Sequence, residues 1–166
     1  SYCTNNACPL SSLRAASDAF NQVSITSFYL NGSAPYIFPC TSSNGACSWN
    51  GSVEAFNEGV SAATSGAVQA VPLVFMNSGS TVENFRAVVN SKGGTAAAAE
   101  TLAEIVVGRR YAGVSLDLEP SCWASDPREC VFPTREDAGH FKTFINDLSS
   151  ALRRRTREHS DDRHRS

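Results

Sequence analysis

Tyr111-Ala112-Gly113-Val114-Ser115-Leu116-Asp117-Leu118-Glu119-Pro120 is the stretch on which the fold turns. It is short, apolar and alternating, and it closes on a proline that cannot continue a hydrogen-bonded ladder, so it reads as a β-strand. Side chains along a strand change face at every residue. Ala112, Val114, Leu116 and Leu118 therefore share a face suited to packing against helices. Gly113, Ser115, Asp117 and Glu119 share the other, which sets two carboxylates side by side at the strand's C-terminal end. Parallel α/β sheets bind ligands at that end. The competing reading is structural, because acids at strand ends also cap helices and hold loop amides.

Upstream, Val23 to Leu30 alternates and is rich in β-branched and aromatic residues, which predicts a first strand. Ala70 to Met76 is a continuous apolar run, as expected of a strand buried on both faces. Between and around these lie helical patterns over Pro9–Asn21, Ser52–Ala63, Thr81–Val89, Thr95–Val107 and Thr134–Leu152. The first includes Phe20 in its apolar stripe, and the last carries Phe141, Phe144, Ile145, Leu148 and Leu152 on one face. Gly66, Gly93-Gly94 and Gly108 punctuate them. Asn31 to Gly51 reads as a long loop whose aromatics, Tyr36, Phe38 and Trp49, either line a ligand groove or cover the core. Strands alternating with helices specify right-handed βαβ units and a parallel sheet. No glycine-rich phosphate loop follows any strand, which sets nucleotide-binding folds aside.

The chain has 166 residues, enough for one domain with a real core, and its 42% hydrophobic and 18% charged content are ordinary globular values. No run of about twenty apolar residues is present, so no membrane-spanning helix is predicted. Net charge is −2 and unevenly spread: residues 153–166 hold six arginines against three acids, while the body holds eight basic and thirteen acidic residues. That acidic body does not suit nucleic acid. The arginine-rich end has no apolar residue to pack, so a domain over 1–152 followed by a basic disordered tail over 153–166 is expected.

Six cysteines fall in three close couples, Cys3/Cys8, Cys40/Cys47 and Cys122/Cys130, each within one loop. Sequence alone leaves fifteen pairings open; loop proximity favours neighbours. The spacings lack the two-residue gap of common zinc modules, and His140, His159 and His164 lie far down the chain, so neither a metal nor another cofactor is expected. Disulfides would place the protein in an oxidising compartment, and the sequons Asn31-Gly32-Ser33 and Asn50-Gly51-Ser52 fit a secreted, glycosylated protein whose polar start follows a removed leader.

The segment Ala112-Gly113-Val114-Ser115-Leu116-Asp117-Leu118-Glu119 resembles the fourth-strand signature of family 18 glycoside hydrolases, the chitinase and endo-N-acetylglucosaminidase family. That signature reads D-x-x-D-x-D-x-E, commonly with glycine second; Gly113, Asp117 and Glu119 match, while Ala112 and Ser115 stand where the family has aspartates. The run ending in Met76 and followed by Asn77-Ser78-Gly79-Ser80 is similar to the family's third strand and its small-residue turn, with Val23–Leu30 as the second strand.

The resemblance implies a partial TIM (β/α)8-type barrel, with about three to four βα units and parallel strands. It implies Glu119 as general acid toward the glycosidic oxygen and Asp117 as the residue orienting the substrate's N-acetyl group, whose oxygen attacks the anomeric carbon in place of an enzyme nucleophile. Ser115, Asn77, Tyr29 and Trp123 become glycan contacts. A barrel of this kind needs about 250 residues, so a longer gene product or a second chain is expected to complete the sheet, with independent catalysis by these residues weak or absent. Two other readings stand beside hydrolysis: a non-catalytic glycan-binding relative, and a disulfide-rich secreted scaffold without a sugar site.

Overall fold

The structure, a computed structural model, describes residues 13–15, 18–33, 36–39, 53–76, 82–90, 93–118 and 132–163. Four strands form one sheet: β1 (Gln22–Leu30), β2 (Ile37–Pro39), β3 (Gln69–Met76) and β4 (Ser115–Asp117). Besides a helical piece at 13–15, four helices accompany them among the described residues: α1 (Val53–Thr64), α2 (Val82–Val89), α3 (Gly94–Gly108) and α4 (Arg135–Arg163). The sheet order is β2-β1-β3-β4, with β1/β3 and β3/β4 parallel and β2 antiparallel on the outer edge. The parallel strands thus follow one another in a single direction across the sheet. With right-handed crossovers, that order sends every connecting helix to the same face.

Burial agrees with this arrangement. Phe28 and Leu30 of β1, and Ala70, Pro72, Val74 and Met76 of β3, are buried beneath helices. Val60 of α1, Val88 of α2, Leu102 of α3 and Phe144 of α4 meet them from above, each nearly inaccessible to water. Helix α3 packs mainly on α4. Its buried Ala98, Ala99 and Ala103 carry little bulk and let the two backbones approach. Each fully buried Leu or Phe contributes roughly 2–3 kcal/mol by leaving water.

The other sheet face is only partly covered. Along β3, Val71, Leu73 and Phe75 are intermediate where their neighbours are buried. The apolar run Ala70–Met76 therefore belongs to a strand with one buried face, not two, a difference that run composition cannot reveal.

Several other boundaries differ from the sequence reading. The Asn31–Gly51 loop contains β2, reached by a tight turn in which Asn31 N donates to Tyr36 O (2.8 Å) and Tyr36 N to Ser33 O (2.9 Å). Three residues ending in Pro39 give no periodic signal, and a proline is tolerated there because β2 is an edge. Among the described residues 111–118, only Ser115–Asp117 join the ladder, paired with Leu73 to Phe75 of β3. The first helical pattern ends before Asp18, since 18–21 form turns and bends, and Phe20 is 53% exposed instead of packed. In α4, Ile145 is exposed and Ala151 is buried in its place.

The largest difference is at the chain's basic end. Residues 153–163 are not a disordered tail but the continuation of α4, which runs 29 residues to Arg163. Arg154 pairs with Glu100 of α3, and Arg155 reaches Glu100 (3.3 Å) and Glu104 (3.5 Å). Charge partners on a neighbouring helix, invisible to composition, hold this segment. Among the described residues no helix is long and apolar enough to cross a membrane.

Candidate functional site

The strand register aligns four side chains in one row across the sheet. Phe38 of β2 pairs with Tyr29 of β1, Tyr29 with Phe75 of β3, and Phe75 with Asp117 of β4. Each neighbours a buried residue on the opposite parity (Ile37, Phe28 and Leu30, Val74 and Met76) or, at β4, Leu116, which packs on the core. All four members of the row therefore belong to the face turned away from the helices. With strands about 4.8 Å apart, the row spans roughly 14 Å.

The three aromatics touch. Tyr29 and Phe38 stack with ring centroids 5.3 Å apart and 15° between planes, and Tyr29 and Phe75 are tilted at 60° with centroids 6.3 Å apart. Contacts of this kind hold rings in fixed orientation at little entropic cost. Asp117 ends the row as an exposed carboxylate, and Ser115, half-buried, lies on the same face beside Leu73. The arrangement is an aromatic platform ending in an acid at the C-terminal side of a parallel sheet.

Of the residues singled out from sequence, Tyr29, Ser115 and Asp117 are brought to this one face. Glu119, Asn77, Trp123, Asn50, Trp49 and the cysteines Cys3, Cys8, Cys40, Cys47, Cys122 and Cys130 lie outside the described residues. Asn31 sits half-buried in the β1–β2 turn, where its Oδ1 accepts from Gly32 N at 2.9 Å. Tyr36 packs on the core, so the two described aromatics of the 31–51 segment divide between core (Tyr36) and platform (Phe38). Phe75 was missed. The continuous apolar run Ala70–Met76 held no signal of which face Phe75 takes, and only the β1/β3 register puts it beside Tyr29.

A second carboxylate, Asp137, is almost fully buried near the start of α4. The Arg86 guanidinium, reinforced by the Thr134 amide and hydroxyl, holds its carboxyl well below the usual range. Perturbed acids in clefts often do chemistry. Here both oxygens are engaged by protein donors, Oδ1 by Arg86 and Oδ2 by Arg86 and Thr134, so the role is structural. Among the described residues no group of three or more His, Cys, Asp or Glu side chains is placed to hold a metal ion.

Compared with known proteins, the chain matches no family model and no curated sequence.

Proposed function

We propose that this chain supplies the glycan-facing arc of a β/α barrel of the family 18 glycoside hydrolase type, acting on N-acetylglucosamine-containing polymers outside the cell. The observation that carries the reading is the row Phe38–Tyr29–Phe75–Asp117. Sugar rings present apolar C–H faces that lie well on aromatic surfaces, and ligand sites combine such walls with a few polar groups. Single-direction strand order, with all described burial on one face, is the arrangement from which a barrel is continued. Further strands adding at β4, from a longer product or a second chain, would close the open face over the platform.

In this reading Glu119, two residues beyond Asp117 in the sequence, protonates the glycosidic oxygen as the bond to the anomeric carbon breaks. The substrate's own acetamido oxygen forms the new bond to that carbon, giving a cyclic oxazolinium. Asp117 aligns the acetamide and stabilises the positive charge that develops on it. Water then attacks the anomeric carbon, breaking its bond to the acetamido oxygen and restoring the acetamide, with the Glu119 carboxylate taking the water's proton, and the sugar leaves with retained configuration.

A second reading, glycan binding without cleavage, is favoured by Ser115. It can hydrogen-bond to a neighbouring acid but cannot share a proton with Asp117 as a carboxylate would. The deciding experiment titrates the protein with chitin oligosaccharides and follows tyrosine fluorescence and product release together. Saturable binding that weakens in Tyr29→Ala supports the platform. Product release that disappears in Glu119→Gln supports hydrolysis, and binding without product supports the lectin-like reading. Absence of saturable binding removes both.

A further inference from the structure

Helix α4 carries more apolar surface than its buried stripe uses. Asp137, Phe144, Leu148 and Ala151 form that stripe. Beside them Ala138, Phe141, Ile145 and Leu152 recur at intervals of three, four and seven residues, which places them along one flank of the helix. Ala138 and Ile145 are exposed, and Phe141 and Leu152 are half-buried. The flank runs about 21 Å along the helix axis. A hollow opens at each of its ends, one of about 240 Å³ lined by Leu118, Phe132 and Phe141, the other of about 320 Å³ lined by Tyr111, Gly113 and Leu152. Residues 111–118 thus furnish a wall of both hollows, so the flank overhangs β4, the last strand of the sheet.

The charges of α4 show how this flank is turned. Glu136, Asp147 and Glu158 repeat every eleven residues, about three turns, and so share a side. Arg154, seven residues beyond Asp147, lies on that side too and pairs with Glu100 of α3. The acidic side therefore faces α3, and the apolar flank is turned away from it. Along the flank's outer rim stand Arg135, Lys142 and Arg153, at spacings of seven and eleven, all exposed. Arg153 bonds only the Ser149 hydroxyl, and no carboxylate among the described residues lies within ion-pair distance of any of the three. Apolar surface edged by unmatched cations complements an amphipathic helix edged by acids. A second copy laid on through the same flank would bring like charges to that rim, which disfavours it.

We infer that this flank docks an amphipathic helix of a partner protein, its apolar stripe against Phe141, Ile145 and Leu152 and its glutamates or aspartates along Arg135, Lys142 and Arg153. The flank lies on the helix side of the sheet and the aromatic row on the other, so the docking is independent of any action on glycans.

The test uses the full chain and three synthetic peptides of about eighteen residues, five turns. One has a leucine stripe edged by glutamates, the second has lysines in place of those glutamates, and the third is a scramble of the first. In NMR titrations the acidic peptide should shift the amides of Ala138, Ile145 and Leu152 saturably, and it should bind at least about tenfold tighter than the other two. Raising salt should loosen it. Ile145→Gln should weaken that binding about tenfold while thermal unfolding stays within about 2 °C of the parent, since the side chain is exposed. Lys142→Glu with Arg153→Glu should turn the preference toward the basic peptide. No saturable shift, equal binding of acidic and basic peptides, or an unchanged preference in the double variant would overturn the assignment. So would a concentration-dependent dimer of the unmixed chain that protects the Ile145 amide, because the occupant would then be a second copy.

Discussion

Arg86 grips Asp137 with two parallel hydrogen bonds, Nε to Oδ1 at 2.8 Å and Nη2 to Oδ2 at 2.7 Å, tying α2 to the first turn of α4. The same carboxylate accepts from Thr134 N (2.9 Å) and Thr134 Oγ1 (2.8 Å), while Asp137 N donates back to Thr134 Oγ1 (3.0 Å). This is a reciprocal N-cap that has recruited a cation from another helix. Arg86 also lies 5.9 Å from the Phe132 ring centroid, so three elements meet at one charge pair.

The cap makes stability pH-dependent in a definite direction. Folding lowers the Asp137 pKa, through Arg86 first and Thr134 next, so the folded state binds fewer protons than the unfolded chain. The stabilisation is fully present above the unfolded carboxyl value, about 3.9, and is lost as pH falls through the lower folded value. Asp137→Asn should cost about 2 kcal/mol at pH 7, and its deficit should shrink toward pH 2. Urea midpoints of parent and variant measured from pH 7 down to pH 2 check this; a deficit that stays constant would mean that the charge is not what matters.

Gly32 is fixed by close approach, not by backbone freedom. A Cβ there would lie 2.7 Å from Asn84 Oδ1 and 3.2 Å from Asn84 Cα, so the β1–β2 turn is pressed against α2. The amide can swing aside but the helix backbone cannot. Gly32→Ala should cost about 1–2 kcal/mol, and Asn84→Ala in the same chain should recover part of it. A double-mutant cycle in thermal unfolding measures that coupling.

The same reasoning separates platform from core. Phe144 is buried, and truncation to Ala should cost about 3–5 kcal/mol. Phe75, half-covered on the open face, should cost only about 1–2 kcal/mol when truncated, yet weaken chitin-oligosaccharide binding about tenfold or more. Calorimetric unfolding beside ligand titration separates the two effects. A Phe75→Ala variant that binds normally would make the platform a patch of incidental apolar surface.

How far the chain could be read depended on the range of the interaction concerned. Helices α1, α2 and α3 were legible to within one or two residues, because Val82, Phe85, Val88 and Val89 repeat at helical spacing and Gly66 and Gly93 stop the pattern. Asp117 and Ser115 were legible as same-face neighbours from alternation alone. The row that gives Asp117 its surroundings was not, since Tyr29 and Phe75 meet only through a register that the sequence does not encode locally. Strand β2 was lost for want of length, and the extent of β4 depended on how much of β3 faced it. Charge composition misled at 153–163, where the partners that make a polar helix stable sit some fifty residues earlier.

That last segment gives the sharpest solution test. Glu100 is shared by Arg154 and Arg155, and the pairing, Arg154 first, draws its carboxyl below the ordinary range. These groups are substantially exposed, so salt should weaken the contact, as expected for surface pairs. Replacing both arginines by alanine keeps intrinsic helix propensity high while removing the tether to α3. Amides of residues 153–163 should then exchange with solvent at least about tenfold faster, with residues 135–150 unaffected because Phe144 and Leu148 still anchor them. In the parent, raising salt from 0.05 to about 0.5 M should move the same amides part of the way. Uniform protection in the double variant would show that packing of Ala151 and Leu152, not the charge network, carries the helix to its end.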